Sequence, residues 1–103
     1  MRIYLIDKYG KHFDIIKKLQ ERGIENIESK TSVKIRSTKN DMIILLDDGD
    51  TEGLSKTSKI VWVTTTKNVR NIWKFINEYN CIDIIDGNMD RDYIIGRLFK
   101  CIA

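Results

Sequence analysis

The most chemically capable stretch of this 103-residue chain is an acidic run, DDGDTEG, at residues 47–53. It directly follows the apolar run 42–46, which has the pattern of a buried strand. Carboxylate oxygens in a loop beyond a parallel strand are ligands that Mg²⁺ prefers, and a metal held there can act on phosphate groups. The sequence therefore offers a candidate Mg²⁺ site, made of Asp7, Asp47, Asp48 and Asp50. The same run also fits an acidic turn that is kept soluble by its charge and bent at its glycines.

Other residue types associated with catalysis are sparse. His12 is the single histidine and has no second nitrogen ligand near it in the sequence, so we interpret it as a solvated or helix-capping residue. Cys81 and Cys101 belong to no CxxC pair and are interpreted as packing residues. The chain turns acidic too early for a secretory signal, so we expect reduced thiols and a cytoplasmic location.

Composition excludes several classes of protein. Hydrophobic residues make up 42% and charged residues 32%, the balance of a globular domain and not of a disordered chain. No apolar run approaches the roughly 20 residues that span a bilayer, so we expect no membrane partner. The net charge of +3 comes from lysines scattered over a helix and a polar segment without interleaved aromatic residues, which argues against nucleic acid as the partner.

Hydrophobic periodicity predicts the elements that position these residues. Strands are expected at 2–7, 42–46, 59–66 and 81–85, with one or two short strands within 24–40, and helices at 12–22, 68–79 and 90–102. This order predicts one α/β domain over 1–103, with a mostly parallel sheet and helices on both faces.

The layout resembles the receiver domain of bacterial response regulators. The resemblance rests on three segments: IYLID at 3–7, DMIILLD at 41–47, and VWVTT at 61–65 continuing through the next helix to YNCIDII at 79–85. It implies a flavodoxin-like fold of five parallel strands, here with the second and third helices reduced to loops. It also implies that Asp47 occupies the phosphoacceptor position and Thr64 the switch position, with Mg²⁺ as the cofactor of a working receiver.

Two departures from the receiver pattern point to a degenerate, or pseudo-, receiver. Receivers carry two adjacent acids after the first strand, whereas Asp7 is followed here by Lys8. They carry a lysine after the last strand, where this chain has Gly87 followed by Asn88. Phosphoryl transfer needs both a metal and a positioned cation, so we expect a non-catalytic regulatory domain. Similar domains precede MinD/ParA-type ATPases in pilus-assembly and localisation proteins, which implies dimerisation or partner binding, with an ATPase domain of the same parent chain as one candidate partner.

A second resemblance leaves a catalytic alternative open. Asp48-x-Asp50-x-x-Gly53 is similar to the acidic motif of Toprim domains, which implies a reduced Mg²⁺-dependent nucleic-acid enzyme. Toprim catalysis also uses a glutamate after the first strand, where this chain has Asp7. The missing third element in both families favours the binding module over a working receiver or a Toprim-like enzyme.

The helix predicted at 68–79 carries an unusually wide apolar stripe, about 160° of its surface. Trp73 and Phe75 lie at opposite edges of that stripe, so one edge is a candidate protein interface. A deeply wrapped helix in a small domain is the alternative. We predict an interface formed by Trp73, Phe75, Tyr79 and, from the last helix, Phe99.

Overall fold

A five-stranded, all-parallel sheet forms the centre of the computed structural model, which describes residues 1–46 and 51–103. The elements in chain order are β1 (Ile3–Ile6), α1 (Phe13–Glu21), β2 (Ile27–Lys30), β3 (Met42–Leu46), β4 (Lys59–Thr64), α2 (Val69–Glu78), β5 (Cys81–Asp86) and α3 (Arg91–Ile102). The strand order is β2-β1-β3-β4-β5, which is compatible with a flavodoxin-like sheet. The predicted α/β class, the order of elements and the parallel pairing are therefore confirmed.

The helices cover both faces of the sheet, as predicted. On one face α1 and α3 bury three residues each, namely Ile15, Ile16 and Leu19 from α1 and Ile94, Ile95 and Leu98 from α3. On the other face α2 buries a single residue, Phe75. The second face is thus held by much less helical packing than the first.

Local signals explain where the helices begin and end. Asn68 caps α2, because its side-chain oxygen accepts the N–H groups of Arg70 and Asn71 at 3.0 and 3.3 Å. Asp90 caps α3 in the same way through the N–H of Tyr93 at 2.9 Å. Gly23, predicted to end the first helix, follows α1 with a φ of +94°, a conformation that favours glycine.

The described residues contain no helix between β2 and β3, and none within 51–58. Of the one or two strands predicted within 24–40, the structure contains one, β2. Val33 and Ile35 lie outside any strand and pack on the face of the sheet that α2 covers. Leu54, from the segment before β4, is buried on the same face. Apolar side chains from two loops thus cover part of this face of the sheet.

Asp41 fastens one of these loops to the edge of the sheet where the strands begin. Its carboxylate accepts the N–H of Arg2 at 3.0 Å and that of Thr38 at 2.9 Å. These backbone hydrogen bonds hold the pKa of Asp41 below its usual value. The loop is therefore anchored immediately before β3.

None of the helices in the described part of the chain is both long and apolar enough to cross a membrane.

Candidate functional site

Three strands end at the same edge of the sheet, because parallel strands share their carboxyl ends. Asp7 follows β1, Leu46 ends β3, and Thr64 ends β4. In open α/β sheets this edge is where ligands bind. The predicted residues Asp47, Asp48 and Asp50 lie outside the described residues, although Asp47 directly follows Leu46 in the sequence.

Asp7 has a clear structural task. It is 2% exposed, and its two carboxylate oxygens accept the N–H groups of Lys11 at 3.0 Å and His12 at 2.9 Å. These bonds order the turn that leads into α1. Within residues 1–46 and 51–103, no three His, Cys, Asp or Glu side chains converge to hold a metal ion. The predicted Mg²⁺ site therefore has one described member, Asp7, whose two oxygens already serve the backbone.

Thr64 and Gly87 join the ends of β4 and β5. The Thr64 hydroxyl accepts the N–H of Thr66 at 3.0 Å, and the Thr64 carbonyl accepts the N–H of Gly87 at 2.8 Å. A Cβ atom at position 87 would lie 3.3 Å from the backbone of Thr64 and 3.2 Å from the side chain of Thr65. A side chain at position 87 would therefore require Thr64 or Thr65 to move by a few tenths of an ångström.

The lysines near the acidic run are placed very differently. Lys8 lies at the carboxyl edge and lines a cavity of about 280 Å³ together with Leu46 and Glu52. Lys59 begins β4, so it lies at the opposite edge of the sheet. Lys67 lines the groove between α2 and β5. Lys8 and Lys67 therefore both lie at the carboxyl edge, Lys8 beside the end of β3 and Lys67 beside the ends of β4 and β5.

A second cavity lies on the α2 face. It has a volume of about 420 Å³, and its aromatic lining consists of Trp62, Phe75 and Tyr79. The rings of Trp62 and Phe75 are stacked with centroids 4.2 Å apart, and Phe75 and Tyr79 follow at 4.8 Å. The Tyr79 hydroxyl donates to the carbonyl of Thr51 at 3.4 Å. These rings therefore form an internal stack that joins α2 to β4.

Phe75 is the residue of the predicted interface that this packing corrects. Phe75 is only 6% exposed, so it is a core residue of the protomer and offers no surface to a partner. Tyr79 is half-buried against Phe75 and faces the segment that contains Thr51. The apolar stripe of α2 is thus divided, with its Phe75 edge facing the sheet.

Phe99 is also placed away from the predicted interface. It is half-buried, and its ring lies 5.5 Å from the guanidinium of Arg22, beyond the end of α1. It packs against the core on the α1–α3 face, whereas Trp73 lies on the opposite side of the sheet. One interface containing both Trp73 and Phe99 would have to reach both faces of the sheet, and it stays a prediction.

Trp73 is the member of the predicted set that is exposed, with 61% of its surface accessible. Val69 and Ile76 on α2 and Ile82 on β5 are also exposed. We call these four residues the α2–β5 surface. A groove of about 300 Å³ that is lined by Ile76 and Ile82 lies on this surface, and a groove of about 330 Å³ that is lined by Ile72 and Ile84 lies between the same two elements. Ile82 was expected inside a buried strand, and its exposure follows from the position of β5 at the edge of the sheet.

A polar network beside this surface was not predicted from the sequence. The Asp83 carboxylate of β5 accepts hydrogen bonds from Arg97 at 2.6 Å and from the Cys101 thiol at 3.4 Å, both groups on α3. Burial and contact with this carboxylate raise the pKa of Cys101 to about 11, and burial raises the pKa of Cys81. Both cysteines are free thiols. The spacing of Tyr93, Arg97 and Cys101, four residues apart on one helix face, is the sequence signal that was available.

Compared with known proteins, the chain matches no protein-family model, no curated protein and no solved structure.

Proposed function

We propose that this chain is a receiver-like regulatory domain that works by protein binding, and that its partner on the α2–β5 surface is a second copy of itself. The sheet order β2-β1-β3-β4-β5, with α1 and α3 on one face and α2 on the other, is compatible with a receiver whose second and third helices are reduced. Regulation then lies in association and not in phosphoryl transfer. An ATPase domain in the same parent chain remains a further candidate partner.

The exposure of Trp73 carries the proposal. A tryptophan that is 61% exposed, with Val69 and Ile76 on the same helix at 65% and 42%, is costly to leave in water. Tryptophan is among the residue types most enriched at the centres of protein interfaces. Ile82 extends the apolar area from α2 onto the neighbouring strand. These four side chains form one apolar area, which is more typical of the centre of an interface than of isolated apolar residues on a surface.

The charges around the surface favour a second copy as the partner. Arg70 and Lys74 flank Trp73 on α2, while Asp86 ends β5. A two-fold pairing that lays α2 of one copy across β5 of the other would bring the basic residues of each copy towards the acidic end of its partner. A stable interface buries about 800 Å² on each partner, roughly an eighth of the 6376 Å² that the chain exposes.

The carboxyl edge supports binding over phosphate relay. Both oxygens of Asp7 accept backbone N–H groups, and Gly87, which the receiver resemblance aligns with a lysine, leaves little room for a side chain. Stabilising a transferred phosphoryl group needs a positioned cation as well as a metal. Lys8 is a cation at this edge, but it stands directly after Asp7, where a receiver has the second of its two metal-binding acids.

Sedimentation velocity over a concentration series tests the proposal. We expect the wild-type protein to form a dimer and Trp73→Glu to be monomeric, because a carboxylate at the centre of an apolar interface is desolvated without a partner. Phe13→Glu is the matched control, since it makes the same kind of change at a 74% exposed aromatic residue on α1. Equal association of the Trp73→Glu and Phe13→Glu variants would contradict the proposed interface.

Beryllofluoride with Mg²⁺ tests the catalytic alternative directly. The account predicts no saturable change in the fluorescence of Trp62 and Trp73 at millimolar Mg²⁺. Saturable binding that is lost in Asp47→Ala would instead identify a working phosphoacceptor. Mg²⁺-dependent cleavage of DNA that is lost in Asp48→Ala would support the Toprim-like reading.

A further inference from the structure

The carboxylate of Asp83 is held in one orientation by groups on two elements. Arg97 donates to Oδ2 at 2.6 Å, and the same guanidinium donates to the Tyr93 hydroxyl at 2.9 Å. The Cys101 thiol donates to Oδ2 at 3.4 Å. With Oδ2 occupied by α3, Oδ1 is directed to the backbone, where it accepts the N–H of Ile84 at 2.9 Å.

The N–H of Ile84 belongs to the free edge of the sheet. Alternate residues of a parallel strand direct their backbone groups to the same neighbour. The N–H of Gly87 donates to the Thr64 carbonyl of β4 at 2.8 Å, so the N–H of Ile85, two residues earlier, also points towards β4. The N–H of Ile84, which lies between these two residues, therefore points away from β4. Its N–H would otherwise be an open donor on the outer side of β5.

This edge is attractive for strand addition. β5 is the last strand of the sheet, and Ile82 is 46% exposed on it. A register shift between Ile60 and Val61 places Ile82 as an extra residue and bends the strand there, but residues 83–86 after it pair regularly with β4 and leave a straight outer edge. The other edge strand, β2, is protected differently, because it carries Glu28 and Lys30 as an exposed ion pair.

We propose that Asp83 closes the free edge of β5 to strand addition by a second copy of this chain, and that Arg97 is the positioning residue that holds it there. A strand arriving at β5 would find the N–H of Ile84 already bonded to Asp83, so the central donor of this edge is closed to it. Partners on the α2–β5 surface therefore dock through side chains and not by extending the sheet. The inference adds a restriction on the kind of partner and does not depend on whether the wild-type protein dimerises.

The hydrogen bond itself is tested in the wild-type protein by an NMR pH titration. Partial burial raises the pKa of Asp83, but the hydrogen bonds from Arg97 and Cys101 outweigh it, so the pKa lies below the usual 3.8. The amide proton of Ile84 should shift with a midpoint below 3.8, while that of Ile85, which faces β4, should not follow this titration. An Ile84 amide that does not respond to Asp83 would overturn the inference without any mutation.

Closure of the edge is tested with Asp83→Ala and Asp83→Asn. In dilute solution we expect the Ile84 amide of Asp83→Ala to exchange about tenfold faster than in the wild type, because its acceptor is gone. At high concentration this variant should associate through β5, with renewed protection of Ile84. Asp83→Asn keeps an oxygen for the N–H and should remain closer to the wild type.

The two kinds of association are separated in a Trp73→Glu background, where the α2–β5 surface is disabled. Asp83→Ala should still self-associate there, because its new contact is made by the backbone of β5. Concentration-independent sedimentation of the Asp83→Ala, Trp73→Glu protein would refute edge closure. A monomeric wild-type protein would refute only the proposed dimer and would leave the edge inference standing.

Discussion

Phe75→Ala is the substitution that the packing marks as most damaging to α2. Phe75 is the one residue of this helix that the structure classes as buried, whereas α1 and α3 bury three each. Its ring also stacks on Trp62 with centroids 4.2 Å apart. Removing a buried phenylalanine ring costs about 3–5 kcal/mol, against a total stability of roughly 5–15 kcal/mol for a domain of this size.

The expected loss is large enough to measure in two ways. Urea unfolding should show the loss of about 3–5 kcal/mol, and the melting temperature should fall by at least roughly 12 °C. Hydrogen exchange of residues 69–78 should accelerate more than that of α1 or α3, because α2 loses its principal contact with the sheet. Phe75→Leu keeps most of the volume and should cost less than about 1.5 kcal/mol.

A matched substitution on the same helix sharpens the test. Trp73→Ala removes a larger side chain from the exposed side and should change the stability of the protomer by no more than about 0.5 kcal/mol. The reasoning fails if Phe75→Ala costs under about 1 kcal/mol, or if Trp73→Ala proves equally damaging in dilute protein. The first result would mean that Phe75 does not hold α2 to the sheet, and the second that the exposed side of α2 also stabilises the protomer.

Three further predictions concern the polar contacts. Asp7→Ala should lower stability by about 1–3 kcal/mol in urea unfolding, since two backbone N–H groups lose their acceptor, and an unchanged midpoint would contradict the role given to this carboxylate. The pKa values of Asp41 and Asp83 both lie below 3.8, Asp41 because of backbone hydrogen bonds and Asp83 because hydrogen bonds to α3 outweigh its burial. Their stabilising effect should therefore be full above about pH 5, where the carboxyl groups are ionised in the unfolded chain as well, and be lost as the pH falls through the folded values; a pH series of urea midpoints checks this, and Asp83→Asn should weaken the dependence. Gly87→Ala should destabilise by about 1 kcal/mol in thermal melts, because its Cβ would crowd the backbone of Thr64, whereas a neutral result would show that this junction yields easily.

The order of the elements could be predicted from the sequence because each carries its own local signal. Apolar runs mark β3 and β4, Asn68 and Asp90 supply helix caps, and Gly23 ends α1. These signals depend on a few neighbouring residues, so no knowledge of the rest of the fold is needed. The predicted boundaries accordingly agree with the structure to within two residues for most elements.

The division of the α2 stripe could not be predicted in the same way. Periodicity gives a wide apolar face containing both Trp73 and Phe75, but it does not say which part the sheet covers. That depends on Trp62, which lies on another element and stacks on Phe75. In the structure Trp73 is therefore exposed, whereas Phe75 is buried in the core.

The Asp83 network illustrates contacts that are remote in the sequence. Arg97 and Cys101 are 14 and 18 residues from Asp83, and they meet it only because α3 packs back beside β5. The exposure of Ile82 likewise follows from its place on an edge strand with a register shift. Neither sheet order nor a local bulge can be read from an apolar run alone.

Fluorine NMR of the protein labelled with 5-fluorotryptophan tests the central claim most directly. The chain contains two tryptophans, Trp62 at 7% exposure and Trp73 at 61%, so the buried residue serves as an internal control in an unmutated protein. With rising protein concentration, the account predicts that the Trp73 resonance shifts and loses its solvent isotope effect while the Trp62 resonance stays constant. A Trp73 resonance that remains solvent-exposed and unchanged at every concentration would contradict self-association through the α2–β5 surface.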